Sequence, residues 1–273
     1  MVCFVLCYSW SSSPYILYFV DYSQMEAERN KEIAYFASDV HLGLALWDPK
    51  EREDRFVGFL KSIPHRQGVS LYLLGDIWDF WFEYRDVVPR CGARVIAQMV
   101  SLIDSGVDVY FCPGNHDLWA FSFFSSLGVK CIQQPYFTDI CGARFCLGHG
   151  DGLGGAKWTY KLLNKVFRCH FLQRCFAALH PWFAFRFGNS WSGSNRLSHG
   201  SSESFVIENL PIYKFAMQSQ GSHQAQYYIF GHYHARIDEV LPNGARLVVL
   251  PSWFKAESVP YALFDGESLT SFS

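Results

Sequence analysis

Short runs of apolar residues, rich in β-branched and aromatic side chains, recur along the chain, and most of them end in Gly, Asp, Asn or His. Their length and composition are typical of buried β-strands. Seven strands are predicted in this way: Ile33–Ser38, Val69–Leu74, Val107–Cys112, Arg144–Leu147, Gln226–Phe230, Ala245–Leu250 and Val259–Phe264.

Two segments between these runs space their apolar residues three and four apart, as amphipathic helices do. They are Arg52–Ile63 and Arg90–Ile103, and Pro64 and Gly106 end them. Because strands alternate with helices, the sequence predicts an α/β fold with a largely parallel central sheet.

The composition sets limits on the kind of protein. Half of the 273 residues are hydrophobic, which is enough for one large domain. The nine cysteines include no CxxC pair, which favours a reducing compartment such as the cytosol. A net charge of -2 argues against a general nucleic-acid binder.

The first 24 residues are apolar and aromatic and carry no Lys or Arg. Their longest apolar run, Tyr15–Val20, is far shorter than the ~20 residues of a membrane-spanning helix. We therefore expect residues 1–30 to be a poorly ordered extension of a single domain at 31–273, with Met25 as a second candidate start. A weak membrane anchor is the less favoured alternative.

Polar residues follow five of the predicted strands at the point where each strand ends. In a parallel sheet the ligand crevice lies beyond these carboxyl ends. Seven candidate metal ligands meet there: Asp39, His41, Asp76, Asn115, His149, His232 and His234. Oxygen and nitrogen ligands without a thiolate suit Mn, Fe, Zn, Co or Mg, and seven are enough for two ions if one carboxylate bridges them. One such motif is commonly a surface pair, but five in this order favour a metal site.

These motifs resemble the signature of the calcineurin-like metallophosphoesterases, which runs Asp-x-His, Gly-Asp, Gly-Asn-His-Asp, Gly-His and Gly-x-His. The resemblance covers about Ile33 to Phe264. It implies an α/β fold in which a two-sheet β-sandwich is flanked by helices (αββα). It also implies two divalent metal ions, with manganese expected and iron, zinc or cobalt as alternatives. Two such ions activate a water molecule and clamp the attacking and leaving oxygens at phosphorus.

The resemblance also distributes the ligands between the two ions. The first ion takes Asp39, His41, Asp76 and His234, and the second takes Asp76, Asn115, His149 and His232, so that Asp76 bridges them. His116 is then free of metal, and the resemblance implies that it stabilises charge on the phosphate or protonates the leaving oxygen. Asp117 would orient His116, and a helix N-cap before Leu118 is an alternative role for Asp117.

About eighty residues separate Gly-His-Gly-Asp from Gly-His-Tyr-His, far more than a connection needs, so we expect an inserted helical lid at about 155–222. Residues 155–200 hold seven Lys or Arg and no Asp or Glu, interleaved with ten aromatic residues: Trp158, Tyr160, Phe167, Phe171, Phe176, Trp182, Phe183, Phe185, Phe187 and Trp191. One interpretation is an amphipathic helix pair that covers the core. The other is a site for a phosphate-bearing ligand or anionic lipid head groups.

Within the family, this layout resembles the branch that hydrolyses UDP-2,3-diacylglucosamine to UMP and lipid X in lipid A biosynthesis, where a helical lid receives the acyl chains. The resemblance implies a cytoplasmic enzyme in peripheral contact with the inner membrane, with no nucleic-acid or protein partner. It also implies substrate contacts at Lys157, Tyr160, Lys161, Asn164 and Arg168.

Two departures from that branch keep other hypotheses open. Its best-known members have Arg where this chain has His116, and acidic residues near the position of Lys157. A soluble metallophosphoesterase acting on nucleotides or sugar phosphates is therefore the alternative. A non-catalytic scaffold on the same fold is the third hypothesis, although such scaffolds lose ligand positions that are all filled here.

Overall fold

The computed structural model describes residues 32–155, 158–188, 206–219, 221–255 and 259–272. Two β-sheets pack face to face, and helices cover the outer face of each sheet. The extension expected at residues 1–30 lies outside the described residues.

One sheet has six strands: β1 (Ile33–Ala37), β2 (Val69–Leu73), β3 (Asp108–Phe111), β4 (Lys130–Cys131), β10 (Tyr261–Phe264) and β11 (Leu269–Phe272). Their order is β11-β10-β1-β2-β3-β4. Strands β1 to β4 are parallel, whereas β10 and β11 are antiparallel to their neighbours.

The second sheet has five strands: β5 (Tyr136–Ile140), β6 (Ala143–Leu147), β7 (Tyr227–Phe230), β8 (Ile237–Val240) and β9 (Arg246–Val249). Their order is β5-β6-β7-β9-β8, with β6, β7 and β9 parallel and the two outer strands antiparallel. All seven predicted strands are therefore present. The largely parallel arrangement is confirmed for the central strands of both sheets but not for their edges.

The described helices are α1 (Pro49–Ser62), α2 (Ala93–Asp104), α3 (Phe123–Ser126), α4 (Trp158–Phe167), α5 (His170–Ala177), α6 (residues 181–188) and α7 (Pro211–Gln218). Helix α1 begins three residues before the predicted Arg52. The Asp48 carboxylate accepts a hydrogen bond from the Glu51 N–H, and Pro49 occupies the first turn, so both residues favour the earlier start.

The buried residues form three layers. One lies between the two sheets, and the other two lie between each sheet and the helices on its outer face. Phe36 of β1 faces the second sheet, where it stacks on Phe145 of β6 with ring centroids 5.7 Å apart. Its neighbour Ala37 faces the other way, toward α1 and α2. Helix α7 packs Ile212 and Ala216 against the outer face of the five-stranded sheet. The result is an αββα sandwich, as expected. Within the described part of the chain, no helix has both the length and the apolar character to cross a membrane.

Candidate metal centre

The carboxyl ends of five parallel strands, three from one sheet and two from the other, meet at one edge of the sandwich. Asp39 and His41 follow β1, Asp76 follows β2, and Asn115 follows β3. From the second sheet, His149 follows β6, and His232 and His234 follow β7. The loops after β1 and β2 stay paired beyond the strands, since the His41 N–H donates to the Asp76 carbonyl at 2.9 Å.

The first group consists of Asp39, His41 and His234, whose nitrogen and oxygen atoms point at one another. The Oδ1 atom of Asp39 lies 3.2 Å from Nε2 of His234 and 3.7 Å from Nε2 of His41. The two imidazole Nε2 atoms are themselves 3.2 Å apart. Three potential ligand atoms therefore converge on a single point.

The second group centres on Asp76. Its Oδ2 atom lies 3.2 Å from Nε2 of His149 and 3.9 Å from Nε2 of His41. His149 Nε2 is also 3.3 Å from Oδ1 of Asn115, and His232 lies within the same group. Asp76 thus approaches both His41 and His149, and its role as the bridging ligand stays a prediction.

Both carboxylates of this site are buried and ionised. Burial raises the pKa of Asp39, but the facing imidazoles of His234 and His41, together with the charge of His149, outweigh burial and hold that pKa well below its usual range. Burial likewise raises the pKa of Asp76, but the charges of His149, His116 and His41, with the hydrogen bond to His149, together outweigh burial and lower that pKa below its usual range. Two negative charges withdrawn from water require cations close by.

The histidines of the second group differ from each other. Burial lowers the pKa of His149, but the charges of Asp76, Asp39 and Asp151, with the hydrogen bond to Asp76, together outweigh burial, and the net pKa is well above the usual value. Burial, with a smaller contribution from His149, lowers the pKa of His232 to about 4. The ring of His149 has its Nδ1 atom 2.9 Å from the Leu74 carbonyl. Since a carbonyl only accepts, Nδ1 donates and Nε2 is directed at Asp76 and Asn115.

One oxygen shows that the residues fit a metal ion. The Oδ2 atom of Asp39 accepts hydrogen bonds from the Ser38 hydroxyl at 2.6 Å and the His232 N–H at 2.9 Å. Its Oδ1 atom is buried and accepts no hydrogen bond from a described residue. A buried carboxylate oxygen without a donor, facing imidazole nitrogens, is suited to a divalent cation.

Residues 34–236 match the family model described as calcineurin-like phosphoesterase. The chain belongs to this family. A protein of Porphyromonas gingivalis named UDP-2,3-diacylglucosamine hydrolase is 34% identical over 251 residues, covering 86% of this chain and 95% of its own. A protein of the same name from Salmonella arizonae is 28% identical, covering 87% and 98%. A solved dimetal phosphatase from Danio rerio is 14% identical, with a TM-score of 0.44 and coverage of 89% and 96%.

Membership of the calcineurin-like family makes this chain a metal-dependent hydrolase and implies divalent metal ions at the clustered His and Asp side chains. When bound, such ions supply Lewis acidity and an activated water molecule at phosphorus. The scaffold hypothesis is therefore set aside.

The backbone of this phosphoesterase is strained at its ligands. Asp39, His41, Asp76, His232 and His234 all have positive φ, between 51° and 72°. Each residue in this left-handed region costs about 1–3 kcal/mol and persists only where its surroundings enforce it. Neighbouring glycines allow the close approach: a Cβ at Gly114 would lie 2.7 Å from the Asp76 nitrogen, and one at Gly231 would collide with Ser38 and Asp39. The strain is concentrated where metal ions would bind.

His116 lies at the edge of the same cluster, with 17% of its side chain exposed. Its Nδ1 atom is 2.8 Å from the Asp79 carbonyl oxygen, which only accepts, so Nδ1 donates. Its Nε2 atom lies 3.9 Å from Oδ2 of Asp76. His41, Asp76 and His116 are also close enough together to form a third group that could hold a metal. The role of His116 on phosphate therefore stays a prediction.

Asp117 accepts hydrogen bonds from backbone groups. Both carboxylate oxygens accept backbone N–H groups, from Gly114 at 2.7 Å and from Ile77 at 2.8 Å among others. It thus ties the loop after β3 to the loop after β2, and its role in orienting His116 stays a prediction. The N-cap alternative is wrong, because the next helix begins only at Phe123. Burial and the charge of Asp76 raise the pKa of Asp117 to about 7.

Asp79 is a site residue that the sequence motifs did not single out. Its side chain is buried, with Oδ1 3.4 Å from Nδ1 of His41 and 3.9 Å from Nδ1 of His116. A carboxylate behind a metal-binding imidazole fixes the ring and its tautomer. The signal was available in the Gly-Asp-Ile-Trp-Asp spacing, in which a second acid follows the ligand Asp76.

The expected substrate residues are only partly visible. Lys157 lies outside the described residues, and Lys161 lies in α4 without a described side chain. The hydroxyl of Tyr160 donates to Asp151, directly after the His149 motif, so this tyrosine links the start of α4 to the metal loop. Asn164 is half-buried and Arg168 is exposed at the end of α4. Their contacts with substrate stay predictions.

Helices α4, α5 and α6 lie between β6 and β7 and are called the lid helices below, and their role as a lid stays a prediction. They pack on the motif loops through one set of aromatic rings and expose another. The Trp119 indole N–H donates to the Phe167 carbonyl at 2.8 Å, and Phe176 contacts Phe82 at 4.8 Å between centroids. Phe185 lies 6.0 Å from Phe80. The exposed large apolar side chains of the lid are Trp158, Leu162, Val166, Phe171, Leu172, Leu179, Trp182, Phe183 and Phe187. The lid helices therefore carry apolar side chains both where they pack on the motif loops and where they face solvent.

Proposed function

We propose that this phosphoesterase hydrolyses the pyrophosphate bond of UDP-2,3-diacylglucosamine and releases UMP and lipid X. The observation that carries the proposal is the similarity to proteins named UDP-2,3-diacylglucosamine hydrolase along nearly the whole chain, at 34% identity in one case. Manganese is the metal we propose, held by the Asp39 and Asp76 groups.

The outer side of the lid supports a lipid substrate. Phe171 is 71% exposed, Phe183 61% and Trp182 57%. Exposed cations lie among them, at Lys165, Arg168, Arg174 and Arg186. A soluble phosphoesterase gains nothing from such a surface, whereas aromatic rings among cations suit the interface of an anionic membrane. We propose that this surface holds the enzyme at the inner membrane.

A cleft beside the lid adds a place for part of the substrate. It has a volume of about 370 Å³ and runs between the loop after β2 and helix α5. Phe82, Tyr84 and Phe121 supply apolar lining, and Arg85 and Arg174 supply positive charge. Glu83 also lines the cleft, and its carboxylate accepts the backbone N–H groups of Phe121, Ser122 and Phe123. A cleft with both characters suits an amphiphile that carries a phosphate.

The residues at the cluster then have distinct tasks. Asp76 would hold both metal ions, and Asn115 and His232 would complete the second group. His116, fixed through Nδ1 by the Asp79 carbonyl, directs its Nε2 atom toward Asp76. From there it would stabilise charge on the phosphate or protonate the leaving oxygen.

The test compares UDP-2,3-diacylglucosamine with its deacylated counterpart, using purified protein supplied with Mn²⁺ and measuring UMP release. We expect a strong preference for the diacylated substrate and no turnover after chelation. Equal turnover of the two would contradict the lipid substrate and favour a soluble phosphoesterase acting on nucleotides or sugar phosphates.

A further inference from the structure

Trp47 is an exposed aromatic side chain at the edge of the first metal group, and no role assigned so far uses it. It is 55% exposed. Its ring stacks on Phe254 with centroids 4.6 Å apart and planes tilted by 30°. Phe254 in turn lies 5.3 Å from the ring of His41 and 5.2 Å from that of His234. A continuous stack of rings therefore leads from the metal-holding imidazoles to an indole accessible to solvent.

The loop that carries Trp47 is held firmly. Arg52 is buried and donates hydrogen bonds to the carbonyls of His41 at 3.2 Å, Leu44 at 2.6 Å and Leu46 at 3.0 Å. Arg55, one turn further along α1, holds the loop of Phe254 through the Trp253 carbonyl at 2.8 Å. One helix thus fixes the backbone beneath both rings of the stack.

The backbone at Trp47 is also strained. Trp47 has a φ of 51° and Asp48 a φ of 43°, two consecutive non-glycine residues in the left-handed region. Asp48 is fixed there as the N-cap of α1. Such strain persists where the surroundings over-determine the conformation, and it is frequent at ligand-binding sites. The strained backbone keeps the indole at the edge of the site, although more than half of the Trp47 side chain remains exposed.

We propose that Trp47, supported by Phe254, is the stacking platform for the nucleobase of the substrate. This inference rests on the proposed function. If UMP is a product, the nucleoside is bonded to one of the two phosphates of the hydrolysed pyrophosphate, so the base must lie within one ribose and at most one further phosphate of the metal ligands. Trp47 is the exposed ring joined to those ligands, and an indole offers a flat surface for a planar base.

An alternative occupant is an apolar chain, since the neighbouring Leu46 is also exposed. The position favours the base. Trp47 is joined by ring contacts to the imidazoles that would face the phosphate, whereas the exposed apolar side chains of α4, α5 and α6 have no such ring contact with them among the described residues. Binding of a nucleobase and binding of an apolar chain would respond differently to substitution of Trp47, and one experiment distinguishes them.

The experiment measures binding of UMP and of ribose 5-phosphate to the Mn²⁺-loaded protein by titration calorimetry. The two ligands differ in the base, so their affinity ratio isolates its contribution. We expect wild type to prefer UMP, and Trp47→Ala to weaken UMP by about 5- to 150-fold, the change that corresponds to ~1–3 kcal/mol of stacking. Affinity for ribose 5-phosphate should not change, and Trp47→Phe should keep part of the preference.

Leu46→Ala is the matched control, because it removes an exposed apolar side chain from the same loop and leaves the carbonyl held by Arg52 in place. It should leave both affinities unchanged. Equal weakening of UMP and ribose 5-phosphate by Trp47→Ala, or no preference for UMP in wild type, would overturn the proposal. Unchanged UMP binding by Trp47→Ala, together with reduced binding of this variant to lipid vesicles, would also overturn the proposal. UMP binding is measured without the lipid substrate and therefore tests the role of Trp47 alone. Failure of the proposed function would be seen in a different measurement, as absent turnover of UDP-2,3-diacylglucosamine.

Discussion

Replacing the outward aromatic side chains of the lid is expected to release the enzyme from membranes and leave its metal chemistry intact. The variant is Phe171→Ser, Trp182→Ser and Phe183→Ser, which changes the three side chains that are 71%, 57% and 61% exposed. None of them touches the metal groups. The inward Phe176, which packs on Phe82 and Trp119, is left in place.

The size of the effect follows from the area available for burial. Burying a whole large apolar side chain contributes ~1.5–3 kcal/mol, and about three fifths of each of these remains exposed, which gives ~1–2 kcal/mol each. Three side chains together contribute ~3–6 kcal/mol, or a factor of ~10²–10⁴ in partitioning. Incomplete insertion reduces this sum, so we expect a loss of vesicle binding near the lower end of the range, about 100-fold.

The assay is co-sedimentation with vesicles of phosphatidylcholine containing phosphatidylglycerol, accompanied by thermal unfolding to show that the variant is folded. Val240→Ser, at a side chain 72% exposed on the edge strand β8, is the control and should bind as wild type does. Binding of wild type should also fall with rising salt, since Lys165, Arg168 and Arg174 add electrostatic attraction of ~1 kcal/mol each near an anionic surface. Equal vesicle binding by wild type and the triple variant would refute the reasoning.

Three further predictions concern the metal centre. Asp76→Ala, which removes the carboxylate shared by the two groups, should lower kcat by about 1,000-fold or more and reduce the metal content measured by elemental analysis. His116→Ala should lower kcat by about 100-fold or more with nearly unchanged metal content, and a lost ion would instead make His116 a ligand. Asp79→Asn, which weakens the support of His41 and His116, should reduce metal affinity or kcat by about 10–100-fold, with Lys50→Ala as an exposed control that changes neither.

The pattern of apolar residues predicted the central strands because burial on both faces leaves a continuous apolar signal. The four edge strands β4, β5, β8 and β11 were missed. Of these, β5 and β8 are antiparallel to their neighbours and half exposed, and β8 carries Asp238 and Glu239 among its four residues. Such a sequence is indistinguishable from a polar loop until the neighbouring strand is known.

The clustering of the candidate ligands could be predicted because each motif directly follows a strand, but the supporting contacts could not. Asp117 accepts hydrogen bonds from backbone groups about forty residues away, at Ile77 and Trp78. The sequence close to Asp117 contains no pattern that indicates such a distant partner. The lid shows the same limit: its aromatic residues were identified, yet the division into inward Phe176 and outward Phe171 depends on where the loops after β2 and β3 lie.

The metal centre is best understood as a junction between the two sheets. Asp39, from the first sheet, accepts the backbone N–H of His232, from the second, and its other oxygen faces His234. Asp76, which follows a strand of the first sheet, likewise faces the ring of His149, which follows a strand of the second. The strained φ values occur at ligands on both sides, so neither sheet alone could hold the arrangement. The stacked core of Phe36 and Phe145 fixes the spacing of the sheets and thereby sets the distance between ligands that come from different halves of the chain.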